Sequence, residues 1–152
     1  MKLTALLVAA LAAGAAQAQT EAWSLTVEKG QPAELVFGAD ELVLHCPPEA
    51  KGQITVDLKI PGSTANPDGD VVTPIPRSVK LSSGLAAATL RGQAPIPGKL
   101  GASFAQSEVS TAAPVVEAFR KTGVISVSAM DVTRSPVPAK PASTPRASRA
   151  GR

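Results

Sequence analysis

The sequence is short of the residues that most chemistry and most stapled folds require. It has one cysteine (Cys46), one histidine (His45), one tryptophan (Trp23), three phenylalanines and no tyrosine. A single cysteine cannot form an internal disulfide, so stability has to come from a buried core. Without a set of flat rings there is no platform for unstacked bases or sugars, where stacking is worth about 1–3 kcal/mol per base. Nucleic acid is therefore not an expected partner. Two soft side chains, His45 and Cys46, fall short of the four N/S ligands of a structural zinc site. Met130 is the sole thioether after the first residue, which argues against copper handling. No metal or other cofactor is expected.

Catalytic patterns are missing as well. Lys121-Thr122-Gly123 has the form of the Lys-Thr-Gly element of serine penicillin-binding proteins and β-lactamases, but no serine has a lysine three positions on. That Ser-x-x-Lys nucleophile is required by the chemistry, and a helix C-terminus explains the tripeptide better. There is no Gly-x-Ser-x-Gly elbow. His45 and Cys46 are neighbours, and neighbours on a strand point to opposite faces, so they form neither a dyad nor a shared metal site. Asp68-Gly69-Asp70 spaces carboxylates as a calcium loop does but lacks the later ligands, and Asn66-Pro67-Asp68-Gly69 is turn chemistry.

One long apolar run is present, and it is at the start. Lys2 is followed by an uncharged Leu/Ala/Val stretch from Leu3 to Ala16, 14 residues in all. A membrane-spanning helix needs about 20. Ala16-Gln17-Ala18 then puts small side chains at −3 and −1 relative to a cut before Gln19, the pattern of a secretory signal peptide. Residues 1–18 are read as a cleaved leader and the mature chain as periplasmic or secreted, with no integral membrane span.

Charge is unevenly placed along the rest. Residues 19–133 carry nine Lys/Arg against twelve Asp/Glu, a net of −3. Residues 134–152 carry Arg134, Lys140, Arg146, Arg149 and Arg152 without an acid. The last segment is rich in Pro, Ala, Ser and Thr and cannot bury enough apolar surface to offset its ordering entropy. It reads as a disordered basic tail whose five cations are drawn to anionic envelope components or an acidic protein.

Between leader and tail the dominant period is two. Trp23-Ser24-Leu25-Thr26-Val27 and Ile54-Thr55-Val56-Asp57-Leu58-Lys59-Ile60 alternate apolar and polar, as a strand with one wet face does. The first alternation turns Trp23 inward with Leu25 and Val27. Glu34–Phe37 and Leu42–Cys46 are more continuously apolar and are expected to be covered on both faces, with Cys46 a small buried hydrophobe. The other function for Cys46 is an intermolecular disulfide. Further strands are expected at Ser78–Ser82, Leu85–Arg91, Leu100–Ala105 and Val124–Ala129, with residues 61–77 a long loop. Val115, Ala118 and Phe119 recur at helical spacing, with Ser110 or Thr111 as a cap, Pro114 in the first turn and Gly123 at the end.

The sequence thus specifies an all-β domain over residues 19–133. The expected form is a small two-sheet β-sandwich, or a partly closed barrel, with one short α-helix before the last strand. The expected role is a non-enzymatic envelope protein that binds or scaffolds an unspecified ligand. The alternative is a small extracytoplasmic hydrolase with a site around His45, residues 61–77 and nearby acids. The leader makes a direct prediction: the exported product begins at Gln19 by intact mass or N-terminal sequencing, and Ala18→Leu leaves the leader attached. An exported product that still begins at Met1 contradicts it.

Overall fold

In the computed structural model, residues 23–49 and 51–136 are described. The leader and the tail from residue 137 onward, with its cations Lys140, Arg146, Arg149 and Arg152, lie outside the described residues. The elements run β1 (Trp23–Thr26), β2 (Ala33–Phe37), β3 (Leu42–Cys46), β4 (Gln53–Ile60), β5 (Ile75–Ser83), β6 (Ala86–Pro97), β7 (Ser103–Ser110), α1 (Pro114–Thr122), β8 (Ser126–Ala129) and β9 (Val132–Arg134). A single 3₁₀ turn, Lys99–Gly101, joins β6 to β7. No helix among the described residues is long and apolar enough to cross a membrane.

The protein is mostly β, with one short helix. Two separate sheets are not seen among the nine strands of the described residues. The strands form one sheet in the order β1-β2-β3-β4-β7-β6-β5-β8-β9, with every pairing antiparallel. The sheet curls into a half-barrel, which is closer to the partly closed barrel than to the sandwich. Curling lets one sheet bury its own inner face, so a second layer is not needed to hide the apolar side chains.

β4 shows how the sequence produces this. Val56, Leu58 and Ile60 are buried on the inner face, and Thr55, Asp57 and Lys59 alternate with them on the outer face. Its register against β7 is unbroken over eight pairs, from Gln53 opposite Ser110 to Ile60 opposite Ser103. The inner faces of all the strands except β1 contribute to one core cluster, which includes Phe37, Leu44, Val79, Leu81, Ala105, Val109 and Val127. Val115 and Val116 of α1 enter the same cluster. α1 starts at Pro114, as expected, but its N-cap is Ala113, with no side-chain cap. The Ser110 hydroxyl instead accepts from the Ala112 N–H at 3.2 Å and turns the chain before the helix. Gly123 ends it in the left-handed conformation, its N–H donating to the Phe119 carbonyl at 2.7 Å.

Several local expectations change. β6 is twelve residues long and continues past Gly92, the turn signal after the expected end at Arg91, to Pro97. Gly92 is needed there because a Cβ would lie 2.3 Å from the Gln106 carbonyl oxygen on β7. The expected strand from Leu100 begins later, at Ser103. An additional strand, β9, follows the expected last one, so α1 precedes two strands. Arg134 is the final residue of β9 rather than the first of a tail. Leu25 and Val27 are 67% and 70% exposed, because β1 is an edge strand and Val27 lies past its end. Trp23 does turn inward, its ring centroid 5.5 Å from Phe37 and 5.9 Å from Phe119. Cys46 is exposed rather than buried.

The central position of Leu58 yields a test. It has no exposed surface, so Leu58→Ala should lower stability by about 2–5 kcal/mol through lost transfer energy and a residual cavity. Leu25→Ala, at the exposed edge, should change it by less than about 0.5 kcal/mol. Urea unfolding of the two variants separates them, and equal losses would contradict the assigned core.

Candidate functional site

The outer face of β2, β3, β4 and β7 brings together side chains far apart in sequence. Glu34 faces His45 across β2 and β3, and Asp57 faces Gln106 across β4 and β7. His45 lies diagonally from Asp57, and the four groups form one chain. Nδ1 of His45 is 3.2 Å from Glu34 Oε1, and Nε2 is 2.9 Å from Asp57 Oδ2. Gln106 Nε2 donates to the other oxygen of Asp57 at 2.9 Å.

The geometry favours the cationic form of the imidazole. A neutral ring has one donor and one acceptor nitrogen, whereas two flanking carboxylates both call for donors. The doubly protonated cation supplies them. The Asp57 hydrogen bond raises the His45 pKa above its ordinary value. Burial opposes this, and the charges of Asp57 and Glu34 add to the rise. A second cluster sits at the start of β3. Burial pushes the Glu41 carboxyl upward, but hydrogen bonding and charge from Arg134, with help from Lys59, hold it below the ordinary range. Arg134 Nε donates to Glu41 Oε2 at 2.9 Å, and Lys59 Nζ is 3.4 Å from Oε1.

Around His45 the outer face forms a groove of about 670 Å³, lined among others by Glu34, Asp40, Val43, Asp57, Lys59 and Phe104. Lys99 and Leu100, from the 3₁₀ turn, complete its lip. Leu100 is fully exposed, and its backbone is left-handed at φ 55°, ψ 32°. A non-glycine residue in that region costs on the order of 1–3 kcal/mol, so the turn presents this leucine against a local penalty. A shallower depression of about 780 Å³ over β5–β7 contains Arg77, Arg91 and Glu108, and shares Gln106 with the groove.

The residues singled out in the sequence are distributed as follows. His45 is in the groove, with two carboxylates within reach, but no serine, threonine or cysteine lines that groove. Cys46, next along β3, is on the opposite face and lines a different cavity. Asp68 and Asp70 are in a turn built on Asn66, whose Oδ1 accepts from the backbone N–H of both residues at 3.1 and 2.9 Å. Lys121-Thr122-Gly123 is the end of α1, where the Thr122 hydroxyl donates to the Ala118 carbonyl at 2.9 Å. Glu34, His45 and Asp57 alternate along a line and do not converge on a point. Among the described residues no cluster of three or more His, Cys, Asp or Glu is placed to hold a metal ion. Glu34, Asp57, Gln106 and Leu100 were not legible as site residues, because only the strand register and the β6–β7 turn bring them to His45.

Comparison with protein-family models, with curated proteins and with solved structures gave no match.

The clamp on His45 has a measurable sign. Its folded pKa is raised above the unfolded value of about 6.5. The stability it contributes is therefore fully present below pH ~6.5 and is lost as pH rises through the folded pKa. NMR titration should show the imidazole deprotonating above the unfolded value, and Asp57→Asn should bring the midpoint down. A midpoint at or below about 6.5 in the wild type, or one that Asp57→Asn leaves in place, contradicts the clamp.

Proposed function

We propose that this chain is an exported, non-enzymatic binding module and that the outer-face groove is its recognition surface. The observation that carries the proposal is the lip of the groove. An exposed leucine, held in a left-handed turn, overhangs a concavity whose volume falls within the about 300–1,000 Å³ usual for ligand sites. Surface hydrophobes held at a backbone cost are more readily explained by contact with a partner than by stability.

The chemistry of the walls supports recognition over turnover. Glu34, Asp40 and Asp57 alternate with His45, Lys59 and Lys99, so the groove carries groups of both signs and suits polar ligands. Val43, Ile96 and Phe104 supply apolar contact. The imidazole has both nitrogens committed to carboxylates, and a general base needs one of them free. The hydrolase reading draws on the same His45 and would need Glu34 or Asp57 to swing away.

The leader places this activity outside the cytoplasm, and the basic tail beyond Arg134 supplies attraction to anionic surfaces. Arg134 itself is committed to Glu41, which leaves Lys140, Arg146, Arg149 and Arg152 for that role. An intermolecular disulfide through the exposed Cys46 stays compatible with this plan.

The test is a thermal-shift screen of the mature protein against peptides, glycan fragments and phospholipid head groups. Leu100→Gly relieves the backbone strain and should leave the melting temperature unchanged or higher, while weakening any groove ligand at least tenfold. A ligand that binds Leu100→Gly and Asp57→Asn as tightly as wild type places recognition elsewhere. Turnover of ester, amide or glycoside reporters that His45→Ala abolishes would replace the proposal with the hydrolase. For the tail, removing residues 137–152 should release the protein from envelope fractions at low salt. Unchanged retention in low and high salt removes that part.

A further inference from the structure

The opposite face of the same sheet holds a second cavity, unconnected to the groove because residues on the two faces alternate along each strand. It is about 200 Å³ and lies between α1 and the inner face of the β1–β4 side of the sheet. Leu44, Val56 and Val109 from the sheet, with Val116 of α1, form a buried floor and sides. An apolar cavity of about 150 Å³ stays dry and admits a molecule the size of benzene. The present one is larger, so it has room for a short run of methylene groups.

Its mouth has a different character. Leu25, Cys46 and Arg120 line the cavity and are exposed, so these three residues mark where it opens to solvent. Among the described residues Arg120 is the only charged group in the lining. Its one carboxylate partner among the described residues is Glu117, at 3.7 Å on the exposed surface of α1. That glutamate is also shared with Lys121 at 3.4 Å. Exposed helix pairs of this kind are weak, and a guanidinium has five N–H donors arranged to grip a carboxylate with two of them. With Lys121 beside it, the rim is net positive. An apolar slot with a guanidinium at its mouth is complementary to one class of molecule, an aliphatic chain that ends in an anion.

We propose that this cavity binds the hydrocarbon chain of a short- or medium-chain fatty acid, with the carboxylate held by Arg120. Burial of methylenes supplies the affinity, and Arg120 selects the carboxylate over a neutral head group. Neither requires the outer groove, so this site and the function proposed above stand or fall separately.

The chain carries two natural reporters of the cavity. Cys46 is its only cysteine and sits at the mouth. Trp23 is its only tryptophan, and it packs on Phe119, which also lines the cavity. The experiment follows the rate of Cys46 alkylation by a maleimide, and Trp23 emission, in the mature protein as butanoate, hexanoate, octanoate or 1-octanol is added below its aggregation threshold. Octanoate should slow alkylation and shift the emission with a common midpoint. Affinity should rise about fourfold per added methylene until the cavity is full. Arg120→Gln, an exposed substitution, should weaken octanoate at least tenfold and leave 1-octanol within twofold of wild type. Ala33→Phe, which adds a ring to the cavity wall beside Cys46 on the neighbouring strand, should weaken both ligands. The proposal is overturned if no member of the series protects Cys46. It is equally overturned if affinity does not depend on chain length, or if Arg120→Gln leaves octanoate binding as it was. Should Ala33→Phe fail to fold, the chain-length series and Arg120→Gln decide the matter on their own.

Discussion

Successive side chains on a strand point to opposite faces, and in β4 this one constraint builds both sides of the protein at once. Val56 and Leu58 have no exposed surface and anchor the core. Asp57, between them, faces outward and holds both His45 and Gln106. Lys59, two positions on, reaches Glu41. A one-residue slip of β4 would bring Asp57 and Lys59 into the hydrocarbon and expose the leucine and valine. The core therefore fixes the register, and the register places the charged groups of the groove. The outer site is positioned by hydrophobic burial on the other face, without any need for its own interactions to be strong.

The scarcity of aromatic residues explains the inner cavity in the same terms. A curled nine-stranded sheet encloses a broad trough, and this chain fills it mainly with Val, Leu, Ile and Ala. Trp23 packs against both Phe37 and Phe119, so the aromatic bulk of the inner face is gathered around one residue. Beside it, Val116, Phe119 and Arg120 of α1 face Leu44, Val56 and Val109 of the sheet across a gap that they do not close. Interiors are usually packed to the density of organic crystals, and a void next to a helix that carries an arginine at its mouth departs from that norm in a direction that suits a ligand.

How much of this was legible follows from the range over which each feature is encoded. The alternation of residues 54–60, the helix between Pro114 and Gly123 and the turn at Asn66–Asp70 are set by neighbours in sequence, and the chain shows them directly. Strand partners are not encoded locally, so a single curled sheet and two stacked sheets give the same alternation. β6 reads short from the sequence because Gly92 looks like a turn. In the sheet, Gly92 is a close backbone approach to β7, and Pro97 ends the strand. His45 was visible as the only histidine, but its partners were not. Glu34 is eleven positions before it and Asp57 twelve after, and only pairing across β2, β3 and β4 unites them. Cys46 shows the limit of residue type as a guide: burial is common for free cysteines, yet here the strand ends at the mouth of a cavity.

Arg134 carries the argument furthest from composition. Counted by charge it belongs to a basic tail, and by pairing it belongs to the fold. β9 is at one edge of the sheet, and Glu41 lies at the start of β3, near the other edge in strand order. The ion pair therefore links the β9 edge to the turn before β3, two strands in from the other edge. Partly exposed pairs contribute little to stability, so the apolar core rather than this contact holds the sheet in its curl. Both edge strands are short, four residues in β1 and three in β9, which limits the unpaired backbone offered to other chains. Strands β1 and β2 lie beyond this link, and on that side Leu25, Cys46 and Arg120 surround the mouth of the apolar cavity.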